Sequence, residues 1–544
     1  MLRKNDDIEI SIDGMSAEGS GVGRYEGQAV FVNGTAVGDI ASVHIIKAKK
    51  NYAVGKINKI ITPSKDRVLS LCPVSEKCGG CCFRHISYDA ELRIKEQKVR
   101  DAFQRIGHLD IGISDIIGSP QTEHYRNKAQ YPVGTDTRNG SPLIGFYAFN
   151  SHRIVPCTDC LLQPEVFKDI LEAVSNWMTD FRVSAYDESK KQGLLRHIYI
   201  RRAHFTGEIM VCLVINGEGI PHESELIEEL RASIPDFKTF VININKSSTN
   251  VIMGDTCKTL YGDGFITDTL LGCRFKISPL SFYQVNSEQC EVLYKKAAEY
   301  ADLHGDELLL DLYCGTGTIG LTMADRVSRL IGVEIIPDAV QNAKENAETN
   351  GFSNAEFFCG DASLIAQKLK NEDTKPDIIL IDPPRKGMGD GLVDTVNEMA
   401  PKRVVYISCD PATLARDCAR FAKLGWEVKK VQPVDMFPHT AHVETVCLLS
   451  KLNAKQHIEV DIHMDELDLT DAEKKATYSE IKEYVLEHTG LKVSSLYIAQ
   501  VKQKCGIIER ENYNKPKSDD AKQPQCPPDK EKAIKEALKH FGMI

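Results

Sequence analysis

The segment "VVYISCDPATLARD", residues 404–417, runs four apolar residues into Ser408 and Cys409 and then into a helix-forming stretch. A cysteine where a buried strand turns can be a small hydrophobe, a metal ligand or a nucleophile. As a nucleophile it would suit one demanding reaction. A ring carbon such as carbon 5 of uracil reacts poorly with a methyl sulfonium, but a thiolate added at carbon 6 makes carbon 5 enolate-like. A base must then remove the carbon 5 proton so that the thiol can leave. Such chemistry needs a methyl donor, one cysteine and one base at a single sheet edge.

A donor site is legible upstream. "LLLDLYCGTGTIGL", residues 308–321, places Gly315, Gly317 and Gly320 at a strand-to-helix turn, where the backbone can approach a ligand closely. Dinucleotide sites share that glycine spacing. Two features separate them. Glu334 ends the next strand, "IGVE", where it can accept ribose hydroxyls, and "IDPPRKG" ends the fourth with Asp382, Pro383, Pro384 and Arg385. The tetrapeptide resembles the acidic-Pro-Pro motif of class I S-adenosylmethionine methyltransferases. Amine methylation usually pairs that motif with a fourth, aromatic residue, and Arg385 stands there instead.

These residues must be positioned by a doubly wound parallel sheet, because strands alternate with helices over residues 276–452. In a seven-stranded methyltransferase sheet the last strand runs antiparallel beside the fifth. "HTAHVETVCLLS" begins that strand, so Glu444 near its start is predicted beside Cys409. The alternatives are an inert buried cysteine and a salt-bridged glutamate.

A second cysteine group, "CPVSEKCGGC", spaces Cys72, Cys78 and Cys81 as C-x5-C-x2-C, with a fourth candidate in "IVPCTDCLLQ". Three thiols beside a Gly-Gly turn point to a metal or cluster centre. Zinc sites more often pair two C-x2-C units, so the spacing leans toward iron–sulfur. His439 and His442 could form a metal pair, but no third ligand of suitable spacing is evident, and shaping a base pocket is the favoured role.

The 544 residues exceed one core, and 26% charged with 42% apolar residues is ordinary for a soluble protein. No apolar run is long enough to span a bilayer, and "MLRKNDDIEISI" lacks a signal-peptide core. Seventeen cysteines, odd in number and irregularly spaced, are expected in a reducing cytoplasm. The net charge of −10 argues against a generic nucleic-acid coat protein. Residues 1–62 nonetheless read as a small antiparallel barrel with Lys47, Lys49, Lys50, Lys56 and Lys59 around Tyr52, a face suited to single-stranded nucleic acid. Residues 63–275 carry the cysteine cluster, the helix-like "AELRIKEQKVRDAFQRIG" and a mixed α/β region. The tail, residues 453–544, suggests two helices around a glycine turn, a winged-helix-like pattern, then a polar "NKPKSDDAKQPQCPPDK" linker and a short helix of unassigned role.

"SFYQVN", "DLYCGTGTIG", "DPPRKG", "YISCDPATLARD" and "DMFPHTAHVETV" together resemble the RNA (uracil-5-)-methyltransferase family, closest to its 23S ribosomal RNA branch. Cytosine-5 methyltransferases differ, with a Pro-Cys nucleophile on the fourth strand. The resemblance implies an α/β architecture: a class I, Rossmann-like S-adenosylmethionine methyltransferase domain, an amino-terminal OB-like barrel of the TRAM type, and a mixed α/β central domain. It implies Cys409 as nucleophile and Glu444 as base, with Gln284, Tyr313, Glu334 and Asp382 lining the methyl-donor site. It also implies a 4Fe–4S cluster on Cys72, Cys78, Cys81 and Cys160, with Cys82 a bystander. A monomer acting on 23S ribosomal RNA is the resulting expectation. The alternatives are the same chemistry on the T-loop of transfer RNA, or a non-catalytic RNA-binding or ribosome-assembly factor.

Overall fold

Buried and exposed side chains alternate along Asp7–Met15 and Ile40–Ala48, giving each strand one apolar face. With Gly21–Tyr25, Gln28–Val32 and Tyr52–Thr62 these strands close into a five-stranded barrel around Ile8, Ile10, Ile12, Val30, Val32, Val43 and Ile45. Gly55 is required inside it, since a Cβ there would lie 2.1 Å from Val43 Cγ1. Lys47, Lys49, Lys50, Lys56, Lys59 and Tyr52 are all exposed on this barrel.

The computed structural model describes residues 2–389, 391–451, 478–505, 526–541 and 543. Two compact units divide the chain, residues 1–453 and 454–544. Within the first, a seven-stranded sheet follows the barrel, its two long central strands being Leu195–Arg202 and Ile209–Ile215. One face of this sheet packs on the helices Val166–Asp180 and Glu223–Ser233 through Phe167, Leu171, Trp177 and Leu230. Tyr199, Met210, Cys212 and Val241 join instead the core of the segment that follows. That is why Ile209–Ile215 is apolar on both faces.

The carboxyl-terminal sheet contains β1 (Leu308–Leu312), β2 (Arg329–Glu334), β3 (Ala355–Cys359), β4 (Ile378–Ile381), β5 (Arg403–Ser408), β6 (Trp426–Val434) and β7 (Glu444–Lys451). Their order is β3-β2-β1-β4-β5-β7-β6, with β7 antiparallel to both neighbours. This is the class I methyltransferase sheet. Its parallel strands are near-continuous apolar runs because helices cover both faces. The turn after β1 leads into one helical turn, Thr318–Leu321, and a 3-10 turn, Ala324–Arg326, rather than a long helix.

"AELRIKEQKVRDAFQRIG" forms an α-helix over Tyr88–Asp101, N-capped by Ser87, whose side chain accepts from Ala90 N, and continues as a π-turn over Ala102–Ile106. The helix buries Lys95 at 1% exposure. Lys95 Nζ donates to Glu91 Oε1 at 2.6 Å, Asp435 Oδ1 at 2.7 Å and the Phe437 carbonyl at 3.1 Å. Tyr88 adds a hydrogen bond to Asp435 Oδ2 at 2.8 Å.

In the second unit the helices Tyr478–Thr489, Ser495–Lys504 and Pro528–His540 surround Ile481, Val485, Ile498, Val501, Ile534 and Leu538. Most of the polar linker before the last helix lies outside the described residues. Among the described residues no helix is long and apolar enough to cross a membrane.

Lys95 neutralises two carboxylates that have no water to turn to. Lys95→Met should therefore destabilise the protein by about 3–5 kcal/mol, the cost of orphaning buried charges, measured by chemical denaturation. A loss below about 1 kcal/mol, the range of an exposed pair, would contradict the role given to this network.

Candidate active site

Ser408, the last residue of β5, pairs with Thr445 on β7. Cys409 and Glu444 therefore lie one step further along their strands, at the same end of the ladder. Cys409 is half-buried, and Asp410 after it caps the helix Pro411–Lys423 by accepting from Ala412 N and Thr413 N. Burial pushes the Cys409 thiol up to about 11, with Glu444 and Asp382 raising it further and Arg385 opposing them. Glu444 is 4% exposed. Burial pushes its carboxyl up to about 8, Asp382 adds to the shift, and Arg385 again opposes it. Asp382 follows β4, and burial pushes it up to about 7. Cys409, Glu444, Asp382 and Arg385 thus share one electrostatic environment at the carboxyl edge of the sheet.

The segment before Glu444 is fixed through most of its carbonyls. Gln289 donates to the Asp435 carbonyl at 2.9 Å, Asn286 to Met436 at 3.2 Å, Tyr125 to Pro438 at 3.0 Å and Lys98 to Ala441 at 2.9 Å. The Cys82 and Phe83 amides both donate to the His439 carbonyl, at 2.9 and 3.2 Å. His439 and His442 are each driven down to about 4 by burial. Arg84 is the next cause at His439 and Arg385 at His442, so the two rings face different surroundings.

The glycine turn after β1 lies against the end of β2. Glu334 accepts from Gly315 N at 3.1 Å and Ile336 N at 2.8 Å, which fixes its carboxylate at the sheet edge. Gly315 and Gly317 have φ of 56° and 81°, and Tyr313 at the same turn is left-handed at 67°. Burial pushes the Tyr313 hydroxyl up to about 12, with Asp361 adding to it. Gln284 is half-buried in the loop before the helix Ser287–Ala301, its carbonyl accepting from Asn127 Nδ2 at 2.8 Å. Asp311 was not anticipated, although a lone carboxylate inside "LLLDL" is a visible signal. It is 1% exposed, burial pushes it up to about 8, one oxygen accepts from Gly320 N at 3.0 Å, and the other has no partner. An orphaned acceptor beneath a glycine turn, beside a fixed surface carboxylate, suits a polar ligand with hydroxyl and amino groups.

The second cysteine group also assembles. Burial raises the Cys78 thiol, Gly80 N donating to its sulfur at 3.4 Å opposes this, and Cys160 and Cys72 raise it further. Burial pushes Cys81 up to about 11 against the pull of Arg84, which hydrogen-bonds it. Cys157 and Cys160 hydrogen-bond to one another, which raises the first thiol and lowers the second. Cys82 lies apart, driven up to about 12 by burial and then by Glu91. Among the described residues no group of three or more His, Cys, Asp or Glu side chains is arranged to hold a metal ion. Cys72, Cys78, Cys81 and Cys160 feel one another's charge, and thiolates are the donors that iron–sulfur clusters use.

Comparison with known proteins agrees with this architecture. The tRNA (uracil-5-)-methyltransferase family model matches residues 87–452 and the TRAM domain model residues 3–57. Relatives named uncharacterized RNA methyltransferase, from Clostridium tetani and Halalkalibacterium halodurans, are each 43% identical. The first aligns over 84% of this chain and 98% of its own length, the second over 83% and 98%. The crystal structure of Pyrococcus abyssi tRNA (uracil-54, C5)-methyltransferase in complex with S-adenosyl-L-homocysteine superposes with a TM-score of 0.66 at 26% identity. It covers 81% of this chain and all of that one. With two thirds of its length matched by one family model, and a TRAM domain model matched ahead of it, the chain belongs to the tRNA (uracil-5-)-methyltransferase family.

Proposed function

We propose that this chain methylates carbon 5 of a uridine in 23S ribosomal RNA, with Cys409 as nucleophile and Glu444 as base. What supports this most is the pairing of Ser408 with Thr445, which sets half-buried Cys409 and buried Glu444 side by side at the carboxyl edge of the sheet. The target uridine is flipped from its stack to reach them. The Cys409 thiolate forms a bond to carbon 6, and the ring π electrons move toward carbon 5 and its carbonyl. S-adenosyl-L-methionine, when bound, supplies the methyl group for carbon 5, and Gln284, Tyr313, Glu334 and Asp382 are the residues that would hold it. The Glu444 carboxylate then takes the carbon 5 proton, the ring double bond reforms, and the Cys409 thiolate leaves. A carboxyl raised to about 8 suits that step, because a base is most effective when its pKa lies near the working pH. Arg385 favours the ionised form of both groups.

In this proposal residues 1–62 form the RNA-binding barrel, 63–275 the central domain, 276–452 the catalytic domain and 453–544 an extension without an assigned part. The enzyme acts as a cytoplasmic monomer. Cys72, Cys78, Cys81 and Cys160 would hold a 4Fe–4S cluster that braces the RNA-binding side of the site. The cysteine group and the barrel favour ribosomal RNA by family resemblance. The likeness to a transfer RNA enzyme favours a second reading, the same reaction at a T-loop uridine.

Two measurements decide between these. Incubated with labelled methyl donor and each unmodified RNA, the protein should place 5-methyluridine in 23S ribosomal RNA. Transfer only to transfer RNA would establish the second reading, and label in 5-methylcytidine would overturn both. Anaerobically purified protein should carry about four irons per chain, lost in Cys160→Ser and kept in Cys157→Ser. Stoichiometric zinc in colourless protein would refute the cluster.

A further inference from the structure

Lys128 and Arg201 face each other across two antiparallel strands of the central sheet, Lys128–Thr135 and Leu195–Arg202. Like charges directly opposite in such a pair destabilise it. Burial adds to the cost: Arg201 is 1% exposed and Lys128 half-buried. Burial draws the Lys128 ammonium down to about 8, with Arg201 and then Arg126 adding to the shift. Among the described residues, Lys128, Arg126 and Arg201 have no carboxylate partner.

Their hydrogen-bonding capacity is unfilled as well. Arg201 donates to the Ser281 carbonyl at 3.0 Å and lies over the Tyr199 ring, 5.6 Å from its centroid, while its Nε is buried without a partner, as is Arg126 Nε. The register puts Tyr199 and His197 on the same face as Arg201, opposite Gln130 and Pro132. Both His197 ring nitrogens are also buried and unpartnered. Two observations tie this face to the active site. Arg126 lies within electrostatic reach of His442, and Arg201 and Asn127 hold the loop that carries Gln284, through Ser281 and Gln284 themselves.

An uncompensated cation cluster with spare donors is costly in the free protein and stabilising only when an anion completes it. We infer that Lys128 and Arg126, backed by the buried charge of Arg201, form a cradle for a backbone phosphate of the RNA, next to the flipped uridine. Phosphate contacts fix register and orientation without reading sequence. The cradle would set how far the target strand enters before its base reaches Cys409. This rests on the RNA methyltransferase reading above.

The test uses the full chain and a fluorescein-labelled single-stranded RNA oligonucleotide containing uridine, titrated across salt concentrations. Lys128→Met should weaken binding about tenfold, the loss of one charged hydrogen bond. The slope of log affinity against log salt should become shallower by about 0.7–1. Lys128→Arg should retain both. Because Lys128 is repelled by its neighbours and pairs with nothing, Lys128→Met should leave the Tm unchanged or raise it, and Arg126→Gln should behave alike. Unchanged affinity and slope in a folded Lys128→Met would overturn the proposal. So would a lowered Tm, which would make Lys128 a structural residue. Failure of the unaltered protein to bind the RNA would instead count against the RNA methyltransferase reading itself.

Discussion

The antiparallel ladder between β5 and β7 is the constraint on which the site depends. Side chains alternate along a strand, so a slip of one residue would turn Glu444 to the opposite face and leave Cys409 without it. The register is held from both sides, because β7 also pairs with β6 and its interior residues Val446, Cys447 and Leu449 are fully buried. Val434 at the end of β6 pairs with Glu444 itself.

Burial then sets the chemistry. Glu444, Asp382 and Asp311 all lie at the carboxyl edge of one sheet, and all three carboxyls are raised by loss of water before any neighbouring charge acts. A raised carboxyl is a stronger base once ionised, which suits Glu444. The same surroundings oppose a thiolate at Cys409, so Arg385, the cation felt by both groups, has a share in balancing the pair. The segment between β6 and β7 cannot relax to relieve these costs. Lys95, held by Glu91 and Asp435, anchors its start, while the amides of Cys82 and Phe83 hold its middle at His439. The loop of the second cysteine group is therefore in direct contact with the strand connection that delivers Glu444.

Much of this was legible in the sequence, for physical reasons. Parallel strands covered on both faces leave apolar runs, and glycine turns with acidic strand ends mark the donor edge. Known sheet order then predicts that Cys409 and Glu444 meet, although they are far apart in the chain. Contacts without a local pattern were not legible. Lys95 looks like one surface lysine of a charged helix, and only the fold brings Asp435 to it. Lys128 and Arg201 look like ordinary strand cations until their register sets them face to face. The helix expected after the glycine turn is a single turn, because the chain must return to β2 at Arg329. The assembly of the cysteines of two distant segments likewise needed the folded chain, while the roles proposed for them go beyond what spacing alone carries.

The central claim is that Cys409 attacks and that Glu444, made basic by burial, completes the reaction. Its most direct test follows the covalent enzyme–RNA adduct by denaturing electrophoresis at pH values below and above about 8, the value to which Glu444 is raised. Glu444 must be ionised to accept the carbon 5 proton, so adduct decay in the unaltered enzyme should accelerate as the pH rises through that region. Glu444→Gln, equal in size but unable to accept the proton, should accumulate a methylated adduct at every pH, and Cys409→Ala should form none. Normal turnover by Glu444→Gln, or an adduct in Cys409→Ala, would contradict the account.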